Sequence, residues 1–325
     1  ESIITMAKEW NRRGYVEDGF IAYLSDHEQV SFPWSMIDKI TPRPADSVRA
    51  ELENAGVEDM TPVITSRNTY IAPFVNAEGP QYLVIEDCFP NGRPALEKAG
   101  VYMTDRDTVN KVERMKVTTC LNPLHTALAV YGCVLGYTLI ADEMKDPLLN
   151  KLVRQIGPGE GMTVVTDPGI LSPEDFVNEV IDVRIPNPFM PDTPQRIATD
   201  TSQKVGIRYG ETIKAYMSKY GDAGKLRAIP LAIAGWCRYL LDDEGKKFEL
   251  SADPMVPELT KTLEAIVVGR PETYKGQLKP ILSNANIFGT DLYEAGIGET
   301  VEEMFREEIT GPGAVREVLK KYLNA

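Results

Sequence analysis

The run from Lys111 to Tyr137, KVERMKVTTCLNPLHTALAVYGCVLGY, constrains this chain more than any other. A charged cluster opens it, and a long apolar segment rich in small residues closes it. Leu121, Leu124, Leu128, Tyr131 and Leu135 recur at helical spacing, the pattern of a buried helix. Polar groups stand at its head: Lys116, Asn122 and His125, the last one of only 2 histidines in the chain. A lysine, an amide and an imidazole beside a buried helix can move a proton to or from a hydroxyl.

Composition narrows what such a group serves. The 325 residues suggest two domains, and 43% hydrophobic with 26% charged content is ordinary for a soluble globular chain. A net charge of -13 argues against a nucleic-acid partner, which needs clustered Lys and Arg. It leaves room for a small anionic substrate in a local basic pocket. No apolar run is long enough to span a membrane, and ESIITMAKEWNRRG lacks the parts of a signal peptide. Cys88, Cys120, Cys133 and Cys237 read as reduced core residues of a cytoplasmic protein. Without a C-x-x-C pair or a His cluster, no metal site is expected.

Along the chain, Glu1–Leu24 reads as helix interrupted at Gly14 and Gly19, already under way at its first residue. Val30–Pro42 is strand or loop, Pro44–Ala55 helix, Pro62–Ala72 and Gln81–Asp87 strands, and Phe89–Pro94 a turn. This mixture, residues 1–107, has the character of the end of an α/β domain. From residue 108 to 325 the pattern is mostly α. Helices are expected over Pro147–Gln155, Pro173–Asp182, Pro194–Tyr220, Lys225–Leu241, Pro257–Val268 and Ala314–Leu323, with a loop at Gly157–Gly161. No G-x-G-x-x-G follows a strand, and there is no Tyr-x-x-x-Lys, G-x-S-x-G or Walker loop. Unaided, these patterns support only an α/β plus α protein with a polar cluster on a helix.

Four segments carry more. VSFPWSMIDKITP resembles the signature of the polyol-specific long-chain dehydrogenases and reductases, with Phe32, Ser35, Asp38, Ile40 and Pro42 fitting and Ile37 and Lys39 replacing Val and Arg. Ile85–Val101 resembles the segment before that family's catalytic helix. Lys116 with Asn122 and His125 resembles its catalytic lysine and following Asn-x-x-His. RIATDTSQK, Arg196–Lys204, resembles its substrate-side Arg and Lys, and Ala234–Leu240 also fits. The family includes mannitol 2-dehydrogenase, arabinitol dehydrogenase, fructuronate reductase and tagaturonate reductase.

The resemblance implies the α/β tail of a Rossmann-like cofactor domain followed by a mostly α-helical substrate domain. A Rossmann segment with its Gly-rich loop, and an Asp-Asn motif, is expected upstream. It implies an NAD cofactor, with NADP not excluded, and a small sugar acid or polyol as substrate. Lys116 would be the general acid–base. Asn122 would donate to the substrate oxygen, His125 would bond a substrate hydroxyl or that oxygen, and Glu113 would relay the proton to solvent. Arg196 and Lys204 would grip the far end of the sugar. Asp38, with Ile37 beside it, would lie by the nicotinamide or the substrate. Arg196, Lys204 and Arg208 as one cationic wall favour a keto-sugar acid such as fructuronate, reduced to mannonate, over the substrate of mannitol 2-dehydrogenase.

Blander readings stand beside these. Glu113 and Lys116 at i, i+3 would be a solvated helix pair, His125 a core histidine, Asn122 the cap of a helix opening at Pro123, and Arg196 and Lys204 surface cations. The chain would then be a helical domain that binds a sugar or a partner without catalysis. One spacing tests the catalytic reading. The family's lysine and asparagine are five apart, whereas Lys116 and Asn122 are 6 apart. On a regular helix the extra residue turns Lys116 by about 100°. A helix break or π-bulge is therefore expected within Val117–Leu121, where VTTC is a poor helix former.

Overall fold

The computed structural model describes residues 2–39, 41, 44–79, 82–241 and 248–324. Glu1, Gln81 and the signature positions Ile40 and Pro42 lie outside them. By packing, the chain divides into two units. The first comprises Glu1–Lys39, Pro80–Glu113 and Pro168–Ile170, the second Ile40–Gly79, Arg114–Asp167 and Leu171–Ala325. The division thus falls a little beyond Asp107, and residues 40–79 group with the second unit.

Helices α1 (Ser2–Arg12) and α2 (Asp18–Ser25) are separated where Gly14 takes a φ of 74°. Gly19 lies within α2 rather than interrupting it. Strand β1 (Ser35–Asp38) buries Met36 and Asp38 and turns Ile37 outward, as the two-residue period of a strand dictates. In the second unit follow α3 (Asp46–Asn54), β2 (Val63–Ile64) and β3 (Tyr70–Ile71). One strand was expected over Pro62–Ala72. The segment instead folds back on itself, because Asn68 enters the left-handed region at φ 58° and its N–H closes onto Thr65 O at 2.9 Å.

The first unit resumes with β4 (Tyr82–Glu86) and β5 (Tyr102–Thr104). The sheet order is β1-β4-β5. β1 runs antiparallel to β4 with Asp38 opposite Tyr82, and β5 runs parallel to β4 with Val84 opposite Tyr102. A parallel pair needs a crossover. Here it begins with the expected Phe89–Pro94 turn, Gly92 at φ 76°, and Arg93 ties its ends by bonding Asp87 and Glu97. Helix α4 (Arg106–Met115) then leads out.

The second unit is almost wholly helical. It contains α5 (Asn122–Leu135), α6 (Ile140–Glu143), α7 (Pro147–Arg154), α8 (Pro173–Glu179), α9 (Pro194–Ile197), α10 (Thr201–Val205), α11 (Glu211–Tyr220) and α12 (Ala228–Tyr239). Then come α13 (Val256–Leu263), α14 (Lys279–Leu282), α15 (Ala285–Phe288), α16 (Gly298–Glu308) and α17 (Ala314–Leu323). Among the described residues, four wide π turns interrupt the helical course, at Lys116–Cys120, Gln155–Glu160, Val180–Arg184 and Gly206–Gly210.

Two expectations change here. Gly157–Gly161 is no loop: Gly161 opens a 3₁₀ turn, and residues 157–160 extend α7 in a π turn despite Pro158. The carboxylate of Glu160 leaves that turn to accept the N–H groups of Arg227, Ala228 and Ile229, the orphan donors at the start of α12. Nor is Pro194–Tyr220 one helix. Asp200 at φ 53° separates α9 from α10, and a π turn separates α10 from α11.

The core is built on α5 and α12, which pack together and, through α12, on α16. Small residues let the backbones approach. A Cβ on Gly235 would sit 2.5 Å from the Tyr131 ring, so α12 can lie against that ring only with glycine there. Among the described residues no helix is long and apolar enough to cross a membrane.

Candidate active site

The expected helix break is a π turn over Lys116–Cys120. Its closing bond runs from Leu121 N–H to Lys116 O at 3.1 Å, and Leu121 then leaves helical geometry at φ -129°. A π turn holds one residue more than an α turn. The sixth step between Lys116 and Asn122 therefore falls in a wide turn rather than on a regular helix. The sequence favours this locally: Thr118 turns its hydroxyl back onto Arg114 O at 2.8 Å, and Thr212 donates to Thr118 O at 3.1 Å, a carbonyl of the widened turn.

Helix α5 begins at Asn122 with Pro123 in its first turn and ends at Gly136, φ 82°. Asn122 does not cap it: the cap position is Leu121 and no side chain bonds there. Among the described residues the Asn122 carboxamide makes no hydrogen bond, and neither does the His125 ring. Both residues are half-buried. A core histidine satisfied by its neighbours is thus not what the structure holds. Burial pushes the His125 imidazole down to about 4; Asp192 pulls it up, and Arg208, Arg184 and Arg196 push it further down. The ring is neutral near pH 7, with one nitrogen to donate and one to accept. Lys116 is half-buried at the head of the π turn.

The charges around His125 come from neighbouring turns. Arg196, on α9, is exposed and bonds Asp192 through both Nε and Nη2, so it brings its own counter-ion. Lys204, on α10, donates to Thr199 O at 2.6 Å, and its pKa is lowered by burial and then by Arg208. Arg208 stands on the π turn Gly206–Gly210, its Nη1 2.6 Å from Thr126 Oγ1. Arg184 is fully buried and bonds Glu78 through Nε at 2.9 Å and Nη2 at 2.8 Å.

Three expected residues belong to the first unit. Asp38 is fully buried on β1 and Ile37 is 63% exposed beside it. Glu113 is exposed on α4. The sequence reading did not single out Thr126, Asp192 or Tyr209. Thr126 directly follows His125, and Asp192 precedes Arg196 by one helical turn, so local spacing carried a signal for both. Nothing local marked Tyr209, whose hydroxyl donates to Pro123 O at 2.9 Å.

The fold is that of the polyol dehydrogenases. The solved Pseudomonas fluorescens mannitol 2-dehydrogenase, in ternary complex with NAD and D-mannitol, superimposes with a TM-score of 0.70 at 25% identity, over 96% of this chain and 58% of that one. A substrate-free D-sorbitol dehydrogenase gives 0.68 at 23% identity, over 95% and 57%. Residues 108–307 match the mannitol dehydrogenase C-terminal domain, and the chain belongs to that family. The D-mannonate oxidoreductase of Thermotoga maritima is 58% identical over 325 residues, 98% of this chain and 60% of that protein. The mannitol 2-dehydrogenase of Phaeosphaeria nodorum is 34% identical over 245 residues, 73% and 40%. This chain therefore spans at most about three-fifths of the length of these relatives.

Proposed function

We propose that this chain is the substrate-side portion of an NAD-dependent oxidoreductase interconverting a keto-sugar acid and its aldonate, fructuronate and mannonate before others. The carrying observation is a pair of polar side chains with no hydrogen bond among the described residues, Asn122 and His125, on the first turn of α5 just after the π turn that starts with Lys116. The 58% identity to a D-mannonate oxidoreductase supports the choice of acid. The first unit, with its mixed sheet, is read as the end of the dinucleotide-binding domain, and Asp38 and Ile37 as its contribution near the nicotinamide.

No G-x-G-x-x-G occurs in the chain, so a pyrophosphate cradle of that kind is not among its residues. What the residues fit is the oxygen side of the reaction. Hydride transfer at carbon is the chemistry that a bound nicotinamide cofactor would supply. Lys116 moves the proton at oxygen, and Glu113 passes it to solvent. Asn122 cannot titrate and donates its amide N–H to the charge that develops on that oxygen. Neutral His125 fixes the oxygen or an adjacent hydroxyl. Arg196 and Lys204 hold the far end of the substrate.

The test is turnover by the full-length protein. Fructuronate, tagaturonate, fructose and mannitol are assayed with NAD(H) and NADP(H), and Lys116→Met is compared with wild type. Fructuronate should give the highest kcat/KM, and Lys116→Met should lower it by roughly 10²–10⁴-fold. Mannitol as the best substrate would move the reading to mannitol 2-dehydrogenase, which the 34% identical relative supports. No turnover and no NADH binding would leave a helical sugar- or partner-binding domain.

A further inference from the structure

Several arginines of this protein, buried, half-buried or exposed, meet carboxylates. Arg93 bonds Asp87, Arg184 bonds Glu78, Arg196 bonds Asp192 and Arg316 bonds Asp146. Arg208 does not. Its guanidinium is half-buried, and among the described residues its one hydrogen-bond partner is the neutral hydroxyl of Thr126, 2.6 Å from Nη1. A guanidinium carries five N–H donors arranged to match a carboxylate with two parallel bonds. Taking it out of water without a counter-charge costs several kcal/mol. Lys204 lies near enough for Arg208 to oppose its protonation, and Lys204's own bond goes to a carbonyl, Thr199 O, at 2.6 Å. Among the described residues, two cations thus stand together with no carboxylate bonded to either, although Asp200 and Asp253 favour the charge on Lys204.

Arg208 is held against α5. Thr126 Oγ1, which receives Arg208, itself donates to Asn122 O at 3.0 Å. Tyr209, the next residue, donates to Pro123 O at 2.9 Å. The guanidinium is thereby fixed against the turn of α5 that carries Asn122 and His125.

We propose that Arg208 determines specificity by binding the carboxylate of a sugar acid, with Lys204 beside it, so that this protein prefers uronates and aldonates to uncharged ketoses and polyols. This rests on the functional reading above and adds to it which residue reads the charge. A neutral polyol would leave the half-buried Arg208 guanidinium without a counter-charge, whereas an acid supplies it. Arg196 is a weaker candidate, because Asp192 already neutralises it with bonds from Nε and Nη2.

The experiment compares wild type, Arg208→Gln and Arg208→Lys in the full-length protein. It reads kcat/KM for fructuronate against fructose and, by calorimetry, the affinity for mannonate against mannitol. In Arg208→Gln the acid-over-neutral ratio should fall by about 10²-fold, the worth of one charge-assisted pair. Arg208→Lys should restore part of the ratio and also covers the case in which the glutamine variant does not fold. An equal loss on acid and neutral ligands would overturn the proposal and leave Arg208 a brace for α5. Should wild type fail to reduce fructuronate, the functional reading falls. The proposal about Arg208 would still stand if mannonate bound more tightly than mannitol and the variant abolished the difference, and it would fall if wild type showed no such preference.

Discussion

Arg208 Nη1 lies 2.6 Å from Thr126 Oγ1, and through that hydroxyl the π turn Gly206–Gly210 grips the first turn of α5. The grip is double, since the neighbouring Tyr209 reaches Pro123 O. Both bonds land on the turn that presents Asn122 and His125. The positions of these two side chains are therefore fixed by residues more than eighty positions away in sequence, rather than by hydrogen bonds of their own.

That division of labour separates stability from activity. Asn122 and His125 make no hydrogen bonds among the described residues, so Asn122→Ala and His125→Ala leave no buried partner unsatisfied. Each variant should unfold within about 0.5 kcal/mol of wild type, as substitutions away from packed networks do. Activity should behave differently, with kcat falling by roughly 10²–10³-fold in Asn122→Ala, the usual cost of one oxyanion donor. Urea unfolding beside steady-state kinetics decides it. A large stability loss with either variant would mean that the side chain is structural.

His125 should stay neutral through the physiological range. Burial holds its imidazole at about 4 in the fold, against 6.5 for the free side chain. The unfolded state therefore takes up the proton first as pH falls, and this residue's contribution to stability is full above about 6.5 and lost down to about 4. In an NMR titration, with the other imidazole removed by His27→Gln, the His125 Hε1 resonance should not move between pH 8 and about 5. A midpoint near 6.5 would mean that the ring is solvated in the fold.

Much of this site was legible in the sequence, and the reasons differ by residue. Lys116, Asn122 and His125 could be read because the chain places them within ten residues at the head of an apolar helix. The extra residue between the first two demanded a wide turn, and one is found. The hairpin at Val63–Ile71 and the break at Asp200 were missed, because each depends on a non-glycine residue in the left-handed region, which composition does not announce. Residues 157–161, rich in glycine, were read as a loop; they stay helical because Glu160 is held by three backbone donors of α12, a tertiary contact invisible to local propensity. The pairing of Arg196 with Asp192 and the isolation of Arg208 needed coordinates, since all three cations look alike in sequence.

Gly210 should be intolerant of a side chain. Its backbone is ordinary for a helix, with φ -60°, so the constraint is purely steric. A Cβ there would lie 1.8 Å from Phe288 O, and backbone cannot swing aside as a long side chain can. Gly210→Ala should cost at least about 1–3 kcal/mol, the range for overpacking a core. It should also loosen the turn that carries Arg208. Gly100→Ala serves as control: that glycine has open space around it and only its φ of 83° to lose. Urea midpoints with equal shifts for the two variants would refute the steric account.

Two buried carboxyl groups should make the protein less stable as pH rises. Glu143 is fully buried with neither oxygen hydrogen-bonded among the described residues, and burial lifts its pKa from 4.5 to about 10. Glu308 is raised to about 8 by burial, against the opposing pull of Tyr131 and Arg238. Geometry agrees for Glu308. The Tyr131 hydroxyl lies 2.6 Å from Glu308 Oε1 and 2.7 Å from Leu231 O, yet it has one proton. Both contacts are hydrogen bonds only if the acid is protonated and donates to the phenol, which donates to the carbonyl. In the unfolded chain both carboxyls ionise near 4.5, before they do in the fold, so between about 5 and 8 the folded state holds more protons and stability falls as pH rises. The slope has an upper limit of about 1.4 kcal/mol per pH unit for each group. Glu143→Gln should remove its share while keeping the shape of the side chain, and Glu308→Gln, whose amide can still donate to Tyr131, should flatten the remainder. Urea unfolding at pH 5, 6.5 and 8 reads the slopes, and an unchanged slope in both variants would show that these acids are already ionised in the fold.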